Sequence, residues 1–494
     1  MAMPGGGVAK FLLPALLQKA LPLLTLPIFT ALMAPAQYGQ AMVLVTGFML
    51  GTVLASFGQD TVLYHDAGTL SGGERVHGLR SSAILTLFLT STVSAFFSVA
   101  VFFSRLSIFG IGSDVLATEL VAIAIYCIGF VPAVALYRIE RMALRFALVQ
   151  LGFVFSQLAV RLCLILSMDN SLLAWAIADV AAAAVAAVLG FPILRRNMNL
   201  GHLSSRLLAK GIRMGGPMVP SKLAQWIGSL SDRLIISAKA GVAAGGVYSL
   251  GSQISFSASS IIVEICRYFL PEYAACVSQG KRAALARVFA IELGLISLIS
   301  SAVGVVGPSV VVLLFPSEYS RAASVAVILS FAVVLNGIQF VVVDFVSVGL
   351  GETGRIWVFT TIGAGFSIIG NLVLVPIIGL EGGAWTSVAT AGVVLMMVGW
   401  KYRRELSFFG FIRRKTVLIL SLNSIIVFGS VVIRRFDTGV GLELVALVAL
   451  AAVGWWGVRS DVSAHKSSSL RVADAIDSAP NFLIPPQTIE VRKS

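Results

Sequence analysis

Charge is what this sequence lacks most: Asp, Glu, Lys and Arg together make up 12% of its 494 residues, where a soluble protein carries about 25%. A water-facing surface of ordinary polarity cannot be assembled from so little, which excludes a soluble globular protein. Histidine is almost absent. His65, His77, His202 and His465 all fall between apolar runs, none at a spacing that would hold a metal. The four cysteines, Cys127, Cys163, Cys266 and Cys276, have no metal spacing either and read as reduced, structural thiols. Glycine is plentiful, yet Gly363, Gly365 and Gly370 lie inside an apolar run and match no phosphate-binding loop. Long polar loops on the outer side are missing too, which leaves a glycan polymerase, ligase or glycosyltransferase no place for its catalytic loop. The expectation is therefore no enzyme, no catalytic residue, no metal and no cofactor, with a coupling ion, H+ or Na+, left open.

What is present is apolar: 57% of the chain is Ala, Val, Ile, Leu, Met, Phe, Trp, Tyr or Cys. The stretches are continuous, such as 81–104, and do not alternate in period two, so transmembrane helices are expected and a β-barrel is not. Runs bounded by charge, Gly or Pro predict fourteen helices, at 11–32, 41–64, 81–104, 115–137, 146–168, 172–194, 213–237, 242–266, 288–314, 322–349, 356–378, 382–400, 416–433 and 440–458. The first run is too long for the apolar region of a signal peptide and reads as a retained helix, although Ala34-Pro35-Ala36 faintly resembles a cleavage site.

Lys and Arg are retained on the cytoplasmic side of membrane helices. With a cytoplasmic N-terminus, the inner segments hold 27 of the 36 Lys and Arg residues and the outer loops hold 5, the remaining four being Lys19, Arg161, Lys222 and Arg233 inside spans. The net charge of +13 is thus a topology signal and no argument for nucleic acid. Both termini are expected to be cytoplasmic. The organisation this predicts is an N-terminus at 1–10, a six-helix bundle over 11–195, a cytoplasmic linker at 196–212 and a second six-helix bundle over 213–400. A basic loop with helices 13 and 14 follows at 401–458, and a polar, disordered tail at 459–494.

The two bundles are related by an internal repeat. Tyr38 corresponds to Tyr248, Arg145 to Arg355, and Ala174-Trp175 to Ala384-Trp385, all 210 positions apart. Pro14 and Lys19 correspond in the same order to Pro217 and Lys222. With six helices per half the two bundles share one orientation, as in transporter folds whose halves are related by an axis along the membrane normal.

Helix 7 is the richest in polar groups. Lys222, Gln225, Trp226, Ser229, Asp232 and Arg233 fall within roughly 120° of one helix face. Charge at the bilayer centre costs at least about 2.5–3.5 kcal/mol per residue, so the stripe predicts a water-filled cavity or buried partners. Helix 1 brings Gln18 and Lys19 to a matching place. Of the acids, Glu119 is expected near the outer surface and Asp179 deeper, where Arg161 would be either its partner or a ligand for an anion. Lys19, Lys222 and Arg161 leave the middle depth net basic, which suits a phosphate ester.

Several short segments carry a resemblance. They are Ala36-Gln37-Tyr38-Gly39 after a Pro-rich first helix, Gly215-Gly216-Pro217 through Asp232-Arg233-Leu234-Ile235-Ile236, Gly246-Val247-Tyr248-Ser249-Leu250, and Asn371 with Pro376-Ile377-Ile378-Gly379-Leu380-Glu381-Gly382-Gly383-Ala384. Their order over residues 10–458 resembles the polysaccharide transporter family, the oligosaccharide flippases of the multidrug, oligosaccharidyl-lipid and polysaccharide exporter superfamily. The resemblance implies an all-α integral membrane protein of two pseudo-symmetric six-helix lobes in a V, with two C-terminal helices appended. It implies movement of an undecaprenyl-pyrophosphate-linked oligosaccharide repeat unit across a bacterial inner membrane by alternating access. The implied partners are that lipid-linked oligosaccharide, membrane lipids, and the polymerase and chain-length proteins of surface polysaccharide synthesis. The implied cavity cations are Lys19, Lys222 and Arg233; the polar stripes themselves add Gln18, Gln225 and Ser229 beside them, make Lys222 the expected main contact of a pyrophosphate with Lys19 and Arg233 assisting, and leave Arg161, Asp179 and Asp232 as candidate charge partners. Two other readings compete. A cation-coupled drug exporter of the same superfamily would need acids at middle depth, and a membrane assembly partner without transport would need no buried lysine pair.

Overall fold

The computed structural model describes residues 6–63, 74–198, 205–349, 356–403 and 405–406. Helices 13 and 14 and the tail expected after 415 lie outside the described residues. Thirteen α-helices are found among those described: α1 (Gly6–Leu32), α2 (Pro35–Ser56), α3 (Glu74–Ser104), α4 (Ser113–Ile139), α5 (Ala143–Ser167), α6 (Ser171–Asn197), α7 (Ser205–Gly215), α8 (Met218–Lys239), α9 (Val242–Ser278), α10 (Arg282–Leu314), α11 (Ala322–Asp344), α12 (Ile356–Ile378) and α13 (Leu380–Lys401). The described residues contain no strand. Nine segments among them are long and apolar enough to cross a membrane. Large apolar side chains such as Phe96, Phe103, Leu144, Val188, Ile377 and Met396 are exposed on the outside of the bundle, where lipid tails and not water would meet them. The chain is a multi-pass membrane protein.

Helices lie at all of the first twelve expected spans, with breaks in the second and the seventh: the run expected to continue to 64 ends at Ser56, where Phe57 and Gly58 turn left-handed. The apolar run predicted to start at 213 is cut after Gly215, and α8 begins at Met218 with Pro217 as its N-cap. Proline has no N–H to give the preceding turn and its ring displaces the chain, so Gly216-Pro217 closes one helix and opens the next. What precedes is α7, a helix within and just past the expected linker. Its Arg206, Lys210 and Arg213 are exposed, while the helix packs on α3.

Two lobes of six helices result, α1–α6 and α8–α13. Within the first, α4 packs on α6, α5 on α6, α3 on α4, α1 on α5 and α2 on α4; within the second, α11 packs on α13, α12 on α13, α10 on α11, α8 on α12 and α9 on α11. Each pairing in one lobe has its counterpart seven helices on, so the repeat seen in the sequence is a repeat of packing. Tyr38 and Tyr248 obey it, since both are fully buried. Trp175 and Trp385 do not: the first is buried, whereas the second is 46% exposed.

The lobes meet along α2 with α8 and α9, and along α1 with α9. At the end carrying the short loops, α2 crosses α9 at Gly39 and Gly246, where a Cβ on either glycine would run into the backbone of the other helix. There Tyr319 donates a hydrogen bond across the lobes to the Met33 carbonyl at 2.9 Å, and its ring meets Tyr38 edge-on at 5.8 Å. At the opposite, basic end, the turn after α2 uses a left-handed Gly58 packed against the Gly215 backbone.

Candidate substrate cavity between the lobes

Between these two contacts lies a cavity of about 300 Å³. Most of its wall comes from the first lobe: α1 gives Gln18, Thr25 and Phe29, α2 gives Tyr38, Met42 and Thr52, α5 gives Gln157 and Arg161, and α6 gives Trp175 and Asp179. The second lobe closes it with Leu230 and Arg233 of α8 and Gln253 and Phe256 of α9. Its surface is mainly apolar and aromatic with a few convergent polar groups, the usual make-up of a ligand site.

Two guanidinium groups enter the cavity from opposite lobes, and they differ in company. Arg161 is buried and tied down: Nη2 donates to Asp179 Oδ1 at 2.6 Å, and the same oxygen accepts from Gln157 Nε2 at 2.6 Å. The guanidinium also sits 3.6 Å from the centre of the Trp175 ring, itself held edge-on against Phe29. A planar cation stacked on an aromatic face and hydrogen-bonded to a carboxylate is fixed in direction. The sequence left Arg161 open between partner and ligand; the geometry makes it the partner of Asp179 while it still lines the cavity.

Arg233 is 4% exposed and forms no ion pair among the described residues. Its neighbour Asp232 lies within electrostatic reach of it but takes its hydrogen bonds elsewhere. One Asp232 oxygen accepts the Tyr248 hydroxyl and the other the Arg233 amide at 2.8 Å, which commits that carboxylate to the second lobe.

The polar stripe of α8 is therefore shared among several neighbours. Lys222 does not line the cavity; its Nζ lies 2.5 and 2.6 Å from the two oxygens of Asp60 in the first lobe. Trp226 donates to the Thr46 carbonyl of α2 at 3.2 Å. Gln225 and Ser229 are exposed and stand outside the cavity wall. The physical reason is that α8 packs on α2, α9 and α12 at once, so one 120° face meets more than one surface. Gln18 lines the cavity as expected from the sequence. The side chain of Lys19 lies outside the described residues.

Glu119, expected towards the outer surface, is 4% exposed on α4, with neither carboxylate oxygen hydrogen-bonded, a burial that its position along the chain does not reveal.

Fold and cavity together define a two-lobed, all-helical membrane architecture. The fold is similar to that of the lipid II flippase MurJ in an inward closed conformation, with a TM-score of 0.66 over 93% of this chain and 99% of that one at 12% identity. It is also similar to an inward-facing multidrug resistance transporter of the MATE family, with a TM-score of 0.63 over 81% of this chain and 98% of that one at 15% identity. A third similar structure is a transporter of the same superfamily from Pyrococcus furiosus, described as having a binding pocket of reverse polarity, with a TM-score of 0.53 over 80% and 95% of the two chains at 14% identity. No curated protein matches the sequence. A family model described as polysaccharide biosynthesis protein matches residues 7–271, a little over half of the chain. The chain belongs to that family.

Proposed function

We propose that this protein is a flippase that carries an undecaprenyl-pyrophosphate-linked oligosaccharide repeat unit across the bacterial inner membrane for surface polysaccharide synthesis, with both termini in the cytoplasm. The observation that carries the proposal is Arg233: a buried cation at the wall of an inter-lobe cavity, with no ion pair among the described residues. Burying a charge that has no direct ion pair is costly, so its position is best explained by an anion that arrives. Family membership supplies the polysaccharide context, and a pyrophosphate is the anionic part of the substrate. In this reading Arg233 is the principal phosphate contact, with Gln18 and Gln157 as neutral donors beside it. Arg161 reinforces the positive field.

The cavity has room for a pyrophosphate group and none for a sugar repeat unit. Loading and release therefore require the lobes to part, and the Gly39–Gly246 crossing and the Lys222–Asp60 ion pair are the contacts that must open at the two ends. A drug exporter that takes cations would need a carboxylate free to receive them. Asp179 is the one acid in the cavity wall, and it is spent on Arg161 and Gln157. The test is deletion of the gene followed by analysis of the lipid-linked glycans. Accumulation of an undecaprenyl-pyrophosphate oligosaccharide in the inner leaflet is the expected result; an unchanged lipid pool with altered drug sensitivity would favour the exporter.

A further inference from the structure

The helix between the two lobes, α7, lies at the edge of the membrane with its charge turned outward. The membrane-spanning part of α2 ends at Ser56 and that of α3 begins at Arg80, and α7 packs at those limits. Gly211 lies against Ser82 of α3, and Gly215 against Phe57 and Gln59 in the turn after α2; Gln59 Nε2 donates to the Gly211 carbonyl at 3.4 Å. Ser82 recurs at intervals of seven with Leu89 and Phe96, so the three share a face of α3. Leu89 and Phe96 are exposed where lipid tails would meet them, whereas Ser82 is fully buried. The helix therefore rests on the lipid-facing side of the bundle, at the depth of the headgroups. Its cations point away from that contact. Arg206, Lys210 and Arg213 follow at steps of four and three, which gathers them within roughly 60° of one helix face, opposite Gly211 and Gly215. All three are exposed, and none takes part in an ion pair among the described residues. The helix has no Asp or Glu of its own, and the apolar Ile212 is exposed on its flank. A helix with a basic face and an exposed apolar flank is of the kind that settles at a lipid–water interface.

We propose that α7 binds the headgroups of anionic phospholipids in the leaflet at the basic end, with Arg206, Lys210 and Arg213 meeting their phosphates. Retention of Lys and Arg on one side of a membrane accounts for cations at this end. It does not account for their gathering on the outward face of a helix laid on the lipid side of the bundle, which an anionic lipid surface does. The inference is independent of what the protein carries. It also gives lipid a hold on the lobes. Gly215 ends α7 and Pro217 opens α8, and the Gly58 backbone on which Gly215 sits is close in the chain to Asp60, the partner of Lys222. Anionic lipid bound along α7 keeps Gly215 seated there and so favours the closed basic end.

The test uses the full-length protein, cysteine-free except for Ala209→Cys, an exposed position beside the cations, where a fluorophore is attached. The protein is placed in phosphatidylethanolamine nanodiscs that contain a titrated fraction of spin-labelled lipid, either phosphatidylglycerol or phosphatidylethanolamine. Quenching should report an apparent affinity for phosphatidylglycerol at least about fivefold higher, the attraction of one basic residue to an anionic surface. The preference should fade in high salt and disappear when Arg206→Gln, Lys210→Gln and Arg213→Gln are combined. Glutamine suits an exposed helix position, so that variant should fold. A fluorophore on Ala34→Cys, at the opposite end, should show no preference. Equal affinities with the three cations in place overturn the proposal, as does a preference that survives the combined variant. Quenching by neither lipid would mean that the face meets water or another protein, and overturns it as well. For the hold on the lobes, a cysteine at Thr52 should react with an impermeant reagent severalfold more slowly when phosphatidylglycerol is present, and the combined variant should lose that dependence. Rates indifferent to phosphatidylglycerol overturn the hold and leave the lipid site standing.

Discussion

Lys222 of α8 grips Asp60, with its Nζ 2.5 and 2.6 Å from the two carboxylate oxygens. The residues are 162 positions apart and belong to different lobes, so the ion pair ties the lobes together at the basic end of the bundle. Both side chains are partly exposed, at 25% and 33%, and an ion pair so placed adds only about 0.2–1 kcal/mol. A contact that weak suits a latch better than a structural clamp, because it can break in every cycle.

The latch reading predicts that Lys222→Ala and Asp60→Ala each leave protein levels and thermal stability nearly unchanged but increase labelling, from the basic side, of a cysteine placed at Thr52. The double exchange Lys222→Asp with Asp60→Lys should return labelling and export to within about threefold of the unaltered protein, as an interaction confined to the pair would. Single and exchanged variants that behave alike would dismiss the latch.

Arg233 is predicted to act by charge. A charge-assisted hydrogen bond to a phosphate in a partly dehydrated site is worth about 1.5–3 kcal/mol. Arg233→Ala should thus slow export about ten- to a hundredfold at equal membrane levels, Arg233→Lys should keep much of the activity, and Arg233→Glu should abolish it. Export indifferent to all three would remove Arg233 from the site.

Arg161 should matter for stability as well as for transport. Removing one member of a buried ion pair leaves the other charged and uncompensated, at about 3–5 kcal/mol. Arg161→Ala should therefore lower the thermal unfolding temperature in detergent far more than Arg233→Ala, and Arg161→Met combined with Asp179→Leu should recover much of the loss. Equal unfolding temperatures for Arg161→Ala and Arg233→Ala would contradict the tie seen between Arg161 and Asp179.

The glycine crossing predicts a conformational bias. Gly246→Leu cannot fit against Pro35 and Gly39 in this arrangement, and overpacking at such a contact costs roughly 1–3 kcal/mol. The variant should hold the lobes apart at the short-loop end. A cysteine at Thr25 in the cavity should then react with an impermeant reagent added from that side; unchanged reactivity would show that the crossing does not govern access.

Orientation is open to a direct check. In a cysteine-free background, Ala34→Cys should label from outside the cell and Ser407→Cys only after permeabilisation. External labelling at 407 would reverse the orientation expected from the charge count.

The sequence by itself determined the helices and their order. Runs of about 20 apolar residues have one stable form in a bilayer, since a helix alone satisfies its own backbone groups there, and the asymmetric placement of Lys and Arg orders the loops. The repeat was also legible, because Tyr38 and Tyr248 occupy equivalent buried places in the two lobes. Helical periodicity grouped Lys222, Trp226, Asp232 and Arg233 on a face without saying what that face meets. Tertiary structure decided that Lys222 belongs to Asp60, Asp232 to Tyr248 and Arg233 to the cavity. It also decided that Trp175 stacks on Arg161 while its counterpart Trp385 is half exposed, and that Glu119 is buried. Such partners come from helices far apart in the chain, and their choice depends on how lobes and helices dock, which no local pattern of residues encodes.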